Sequence, residues 1–239
     1  MAVRDETGNT YYTSQKQKLL RDFDKNMRKY GRRALASSYG DDMADALLME
    51  ARQEYEALIP LLPYIGGKRN SRTANLVQSA WLLALYKALK KRGKTAEEAG
   101  RLAYEGVEAQ VQSYPRFLLN LAGRWRLRKS SLKRNAALSQ SRRYPGDWVY
   151  TFIEGDGQAF DVGMDYTECG ICKFFHEQGA DEFAPYLCLT EYPVQKAMGT
   201  GMDRTMTIAE GANRCDPRFK RGREVREGWP PQFLTPKRG

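Results

Sequence analysis

The sequence predicts an α+β fold: a helical N-terminal half packed on a smaller mixed α/β C-terminal half with a β-hairpin and a cysteine-rich site. Three observations predict it. Apolar residues before about position 112 recur at three- and four-residue steps, the period of a helix buried on one side. Past residue 143 the pattern changes to aromatic and β-branched residues in alternation, the mark of strands. All four cysteines, Cys169, Cys172, Cys188 and Cys215, and the single histidine, His176, lie in that second part. The division falls at 1–143 and 144–239, and the two regions could equally form one continuous domain.

The elements follow in order. Residues 14 to about 39 place Leu19, Leu20, Phe23, Met27 and Tyr30 on one helical face. A second helix opens at "GDDMADALL", with Asp41 or Asp42 as its cap, and is closed by Pro60. "LPYIGGKRN" is a turn. A third helix spans about 72–91, aligns Leu76, Ala80, Leu83 and Ala84, and ends at Gly93. "TAEE" from Thr95 is a capping box, so a fourth helix should run from Ala96 to about Gln112. The basic span 124–143 reads as a helical extension or a connector. "DWVYTFIE" and "AFDVGMDY" read as two strands joined by "GDGQ". Short helices at about 171–178 and 181–188, a strand at about 203–209 and an irregular tail complete the chain.

Composition excludes some functions. The longest apolar run, 80–86, is too short to span a bilayer, and "MAVRDETGNT" has no apolar signal core. The expected setting is therefore cytoplasmic and reducing, with no membrane partner, and grouped cysteines there point to metal or catalysis before disulfides. The formal charge of +10 is concentrated between residues 109 and 146, where no acid occurs, and in "RFKRGREVR". A solvated basic face is the preferred explanation over nucleic-acid binding, because no nucleic-acid motif accompanies the charge. A homo-oligomer is left open.

The cysteines permit three readings. Cys169-x2-Cys172 could supply two thiolates of a metal site completed by Cys188 and Cys215, holding zinc or an iron–sulfur cluster. A thiolate could instead be a nucleophile, with His176, Glu191 and Asp216 close by in sequence as proton carriers. Or the cysteines are small buried hydrophobes. Spacing alone does not choose among them.

Longer motifs add to this. "YPGDWVYTFIEGDG", "FDVGMDYTECGICKFFHEQGADEFAPYLCLTEY" and "RTMTIAEGANRCDPRFK", together with "LPYIGGKRN" and "GKTAEEAG", resemble the L-2-amino-thiazoline-4-carboxylic acid hydrolase family over residues 40–225. The resemblance implies a hydrolase acting on carbon–nitrogen bonds of a small cyclic amidine, opening 2-amino-thiazoline-4-carboxylate to a carbamoyl-cysteine. By motif, Cys169 is the cysteine of "ECGIC", Cys188 that of Cys-x-x-acid-Tyr, and Cys215 that of Cys-Asp-x-Arg. Glu191 stands where Asp is expected and Pro217 where Phe is usual, which puts the substrate in doubt.

The expected catalytic set is thus Cys169, Cys188, Glu191, Cys215, Asp216 and His176. Glu191 or Asp216 would protonate or orient the amidine. A thiolate, or water on a metal, would attack its carbon. Arg204, Arg214 or Arg218 would grip the carboxylate of a small-molecule substrate, with Thr207 nearby, although Arg214 reads at least as well as a surface charge. A thiol site needing no cofactor is slightly preferred. The alternative is a metal- or ligand-binding protein without hydrolase activity, its ligands Cys169, Cys172, Cys188 and Cys215.

Overall fold

A computed structural model describes residues 6–225 and 227–231. Helices dominate up to residue 139. After α1 (Glu6–Thr13) comes α2 (Lys16–Asn26), which runs through a π-helical turn, Met27–Gly31, into α3 (Arg32–Tyr39). The long helix α4 (Asp41–Leu58) and α5 (Thr73–Lys91) pack on one another along the apolar faces that the periodicity marks, with Leu47, Leu58, Leu76 and Leu83 fully buried. The start of α4 corrects one expectation. Gly40, at φ +83°, is its N-cap, and Asp41 and Asp42 sit in the first turn as dipole-complementing acids without capping. Helix α6 (Ala96–Gln112) opens with the expected capping box: the Thr95 hydroxyl accepts from the Glu98 amide at 3.1 Å, and Glu98 accepts from the Thr95 amide at 3.0 Å.

The basic span is no mere connector. It forms α7 (Arg116–Arg126) and α8 (Lys129–Ser139), and α7 leaves Phe117, Leu121 and Trp125 exposed. Strands β1 (Val149–Glu154) and β2 (Val162–Glu168) make the expected antiparallel hairpin, followed by α9 (Gly170–Glu177), α10 (Ala184–Leu189), α11 (Glu191–Ala197), β3 (Thr200–Asp203) and β4 (Arg218–Arg221). The sheet order is β1-β2-β4-β3, antiparallel throughout. The strand expected at 203–209 is thereby displaced. Pairing with β4 fixes β3 at 200–203, and 208–210 is a single 3-10 turn. β4 has too little alternation to be read from the sequence and exists because two neighbours pair with it. The proline-rich tail expected to be irregular lies mostly outside the described residues.

One core runs through both halves. Tyr86 of α5 stacks on Phe183 (4.6 Å between centroids, 3° between planes), which stacks in turn on Phe175 of α9 (5.9 Å, 8°). This column of rings seats the cysteine-bearing helices against the N-terminal bundle. Among the described residues, no helix is long and apolar enough to cross a membrane.

Candidate functional site

The "ECGIC" segment folds as a strand that turns directly into a helix. β2 ends at Glu168, Cys169 is the N-cap of α9, and Cys172 lies in the helix's first turn. Gly170 permits the turn. A Cβ there would stand 2.5 Å from the Gly146 carbonyl oxygen and 2.9 Å from the Trp148 ring. Lys173 fastens the same helix to the approach to β1 by donating to the carbonyls of Pro145 (2.7 Å) and Asp147 (3.1 Å).

Sheet pairing brings the third cysteine in. Cys215 bridges to Tyr166 of β2, with backbone bonds of 2.8 and 3.0 Å in the two directions, three residues before Cys169. Its Sγ accepts from the Ile208 amide at 3.1 Å. Cys188 arrives on α10 and Glu191 at the start of α11. Arg204 follows β3 and draws these two segments together. It donates to Glu191 Oε2 at 2.9 Å and to the Cys188 carbonyl at 3.2 Å, and lies 5.2 Å from the centroid of Tyr192. The Arg204 side chain is only 5% exposed, and among the described residues its Nε has no hydrogen-bond partner.

All four cysteines, Glu191 and Arg204 line one cavity of about 570 Å³. Its opposite wall comes from the helical half, through Met27, Tyr30, Trp81 and Leu85 among others. A second cavity of about 500 Å³, lined by Tyr104, Glu105 and Trp229, has no cysteine in its walls.

The four thiols differ in character. The Cys172 thiol, with the amides of Cys172 and Ile171 at the helix N-terminus, favours the ionised form of Cys169 strongly enough to outweigh burial and lower its pKa to about 7. Cys172 is pushed up in turn by Cys169. Burial pushes up Cys188, and raises Cys215 to about 11 despite the Ile208 amide. Cys169 alone among them is poised as a thiolate near neutrality. Among the described residues, no group of three or more His, Cys, Asp or Glu side chains is arranged to hold a metal ion.

The other expected residues lie outside this cavity. His176 is 78% exposed and faces Asp181, with Nδ1 3.0 Å from Oδ1. On a single helical turn from Cys172, its side chain leaves α9 on the solvent side. The Asp216 carboxylate is taken up by the Thr205 amide (2.9 Å), the Thr205 hydroxyl (2.5 Å) and the Met206 amide (3.0 Å). These bonds lower its pKa even though burial acts the other way, and they shape the loop that carries Arg204. Thr207 caps the 3-10 turn and donates to Glu210 at 2.8 Å. Arg218 lies across Gly163 and pairs with Asp165 at 2.7 Å. Three residues with no sequence signal do line the cavity: Arg72, Tyr150 and Tyr166. One arginine in a chain of 39 basic residues carries no mark of its own, and the two tyrosines read as ordinary strand residues.

A family model described as L-2-amino-thiazoline-4-carboxylic acid hydrolase matches residues 74–219. No curated protein and no solved structure matches the chain.

Proposed function

Because the chain belongs to the L-2-amino-thiazoline-4-carboxylic acid hydrolase family, we propose that it opens the ring of a small cyclic amidine of the 2-amino-thiazoline-4-carboxylate type by thiol catalysis. The observation that carries this reading is the shared cavity in which Cys169, with its lowered pKa, lies within electrostatic reach of Glu191.

The chemistry suits these groups. The amidine carbon bears the ring sulfur and two nitrogens, and becomes electrophilic when the amidine is protonated. The Glu191 carboxylate accepts paired N–H bonds from that cation, and Arg204 holds Glu191 in place from behind. The Cys169 thiolate attacks the carbon and forms a new carbon–sulfur bond. The ring carbon–sulfur bond then breaks, its electron pair leaves with the ring sulfur, and that sulfur takes a proton. Exchange of one thiolate for another on the same carbon is nearly balanced in leaving-group ability, so neither direction demands a strong acid. Water adds to the resulting S-linked isothiourea, a proton is lost, and the Cys169 thiolate departs. The product is a urea, the carbamoyl-cysteine, and the net change is the addition of one water. Across the sequence the amidine carbon–nitrogen double bond is hydrated and the carbon–sulfur bond is cut.

The test is direct. Purified protein is mixed with 2-amino-thiazoline-4-carboxylate, new thiol is titrated, and the acid-quenched protein is weighed and mapped. A carbamoyl-cysteine product with a mass adduct on the Cys169 peptide supports the mechanism. Turnover with no adduct under single-turnover conditions, and full activity in Cys169→Ser, would reject the thiol route. Absence of turnover on this and related rings would reject the substrate class.

A further inference from the structure

Arg72 is the N-cap residue of α5 and lines the cavity. Its backbone is pinned by Asn70, whose Oδ1 accepts from the Arg72 amide at 2.9 Å while its Nδ2 donates to Asp147 at 2.7 Å and to the Ile65 carbonyl at 2.7 Å. Its guanidinium sits inside a set of three rings, 4.5 Å from the centroid of Tyr150, 5.0 Å from Tyr166 and 5.4 Å from Trp148. It donates to the Tyr166 hydroxyl at 2.9 Å. Among the described residues it pairs with no carboxylate. The acid within electrostatic reach, Asp147, is already taken up by Asn70 and by the Trp148 amide at 2.8 Å. A guanidinium carries five N–H donors and stays charged at any physiological pH. Holding it among aromatic rings without a counter-ion is costly unless an anion completes the site. Of the three arginines that the sequence offers as carboxylate grips, Arg204 pairs with Glu191, Arg218 pairs with Asp165, and Arg214 is exposed and outside the cavity lining.

We propose that Arg72, held in the cage of Trp148, Tyr150 and Tyr166, is the positioning residue that receives the carboxylate of the substrate. The cage fixes the plane of the guanidinium, so the remaining N–H groups present a two-pronged face to a planar carboxylate. Tyr166 links this anchor to the reacting end, because its backbone is the one that pairs with Cys215 and precedes Cys169. A ring held by its carboxylate at Arg72 would have its amidine presented to Glu191 and Cys169. This assignment rests on reading the cavity as the substrate site.

Two measurements decide it, and they fail separately from the proposed reaction. In the first, thiazolidine-4-carboxylate, which has the ring and carboxylate but no amidine to hydrolyse, is titrated calorimetrically into the wild type, Arg72→Gln and Arg72→Lys, each checked for native circular dichroism. The proposal expects binding to the wild type, weakening by roughly 10- to 100-fold in Arg72→Gln, and a smaller loss in Arg72→Lys. Equal binding to Arg72→Gln, or no binding to the wild type, overturns it whatever the protein catalyses. In the second, kcat/KM is compared for 2-amino-thiazoline-4-carboxylate and for 2-amino-thiazoline, which lacks the carboxylate. Arg72→Gln should lose mainly on the first substrate, through KM, and change little on the second. Equal losses on both would mean that Arg72 merely supports the fold, and would also overturn the proposal.

Discussion

The two walls of the cavity are built in opposite ways. The wall from α2, α5 and α6 comes from continuous helices whose side chains pack by periodicity, and each helix is nearly complete in its own stretch of sequence. The facing wall is assembled from pieces: the end of β2, the first turn of α9, two short helices and an isolated bridge at Cys215. On the proposed function, the second wall supplies the reacting groups, while the first encloses them with periodically packed helices. A residue in one should therefore be removable at the expense of folding, and a residue in the other at the expense of rate.

The largest expected effect is on rate. Cys169→Ser should lower turnover by more than about 10³-fold while leaving the thermal unfolding midpoint nearly unchanged. Cys215→Ser should retain measurable activity, since burial keeps Cys215 protonated at neutral pH. Steady-state kinetics and calorimetric scans of the two variants would erase the contrast if both lost activity alike. Next comes stability. Leu83, fully buried on α5 and not part of the cavity wall, should cost about 2–5 kcal/mol on truncation to Ala, with kcat preserved below the lowered melting point. Denaturant titration and kinetics on one preparation measure both sides.

A smaller effect separates the thiols. The Cys169 pKa is lowered to about 7, so its thiolate persists as pH falls until near neutrality and is lost below it. The rate of iodoacetamide alkylation at Cys169, followed by peptide mass spectrometry, should rise about tenfold per pH unit below 7 and level off above about 8. A midpoint near that of an ordinary thiol, about 8.5, would remove the poise on which the mechanism depends. The smallest effect belongs to His176. Exposed and facing Asp181, it should tolerate substitution by Ala with unchanged kcat/KM. A substantial loss of rate would bring the α9 surface into the reaction.

Legibility in the sequence divides along the same line. The helices of the first wall were readable because helix period, the Thr95–Glu98 capping box and the breaking residues Pro60 and Gly93 are local signals. The sulfur cluster was readable as a concentration of residues, and the motif around each cysteine named the segments that meet. What stayed hidden depends on contacts between distant segments. β4 exists by pairing, the Asp216 carboxylate turned out to be occupied by Thr205 and Met206, and the Arg72 cage joins the start of α5 to β1 and β2. Four residues between Cys172 and His176 suggested proximity, but a helical turn can direct two side chains to different surroundings.

The π-helical turn at Met27–Gly31 gives the cavity a wall that lies before the family match at 74–219. An extra residue in that turn resets the angular phase between α2 and α3 by about 100°, the rotation one residue contributes to an α-helix. Removing one residue from the turn would rewind it, swing the preceding helix about its axis and carry Met27 and Tyr30 off the chamber. On the proposed function, this turn shapes the chamber from one stretch of chain, while the sulfurs that would open the ring come from another.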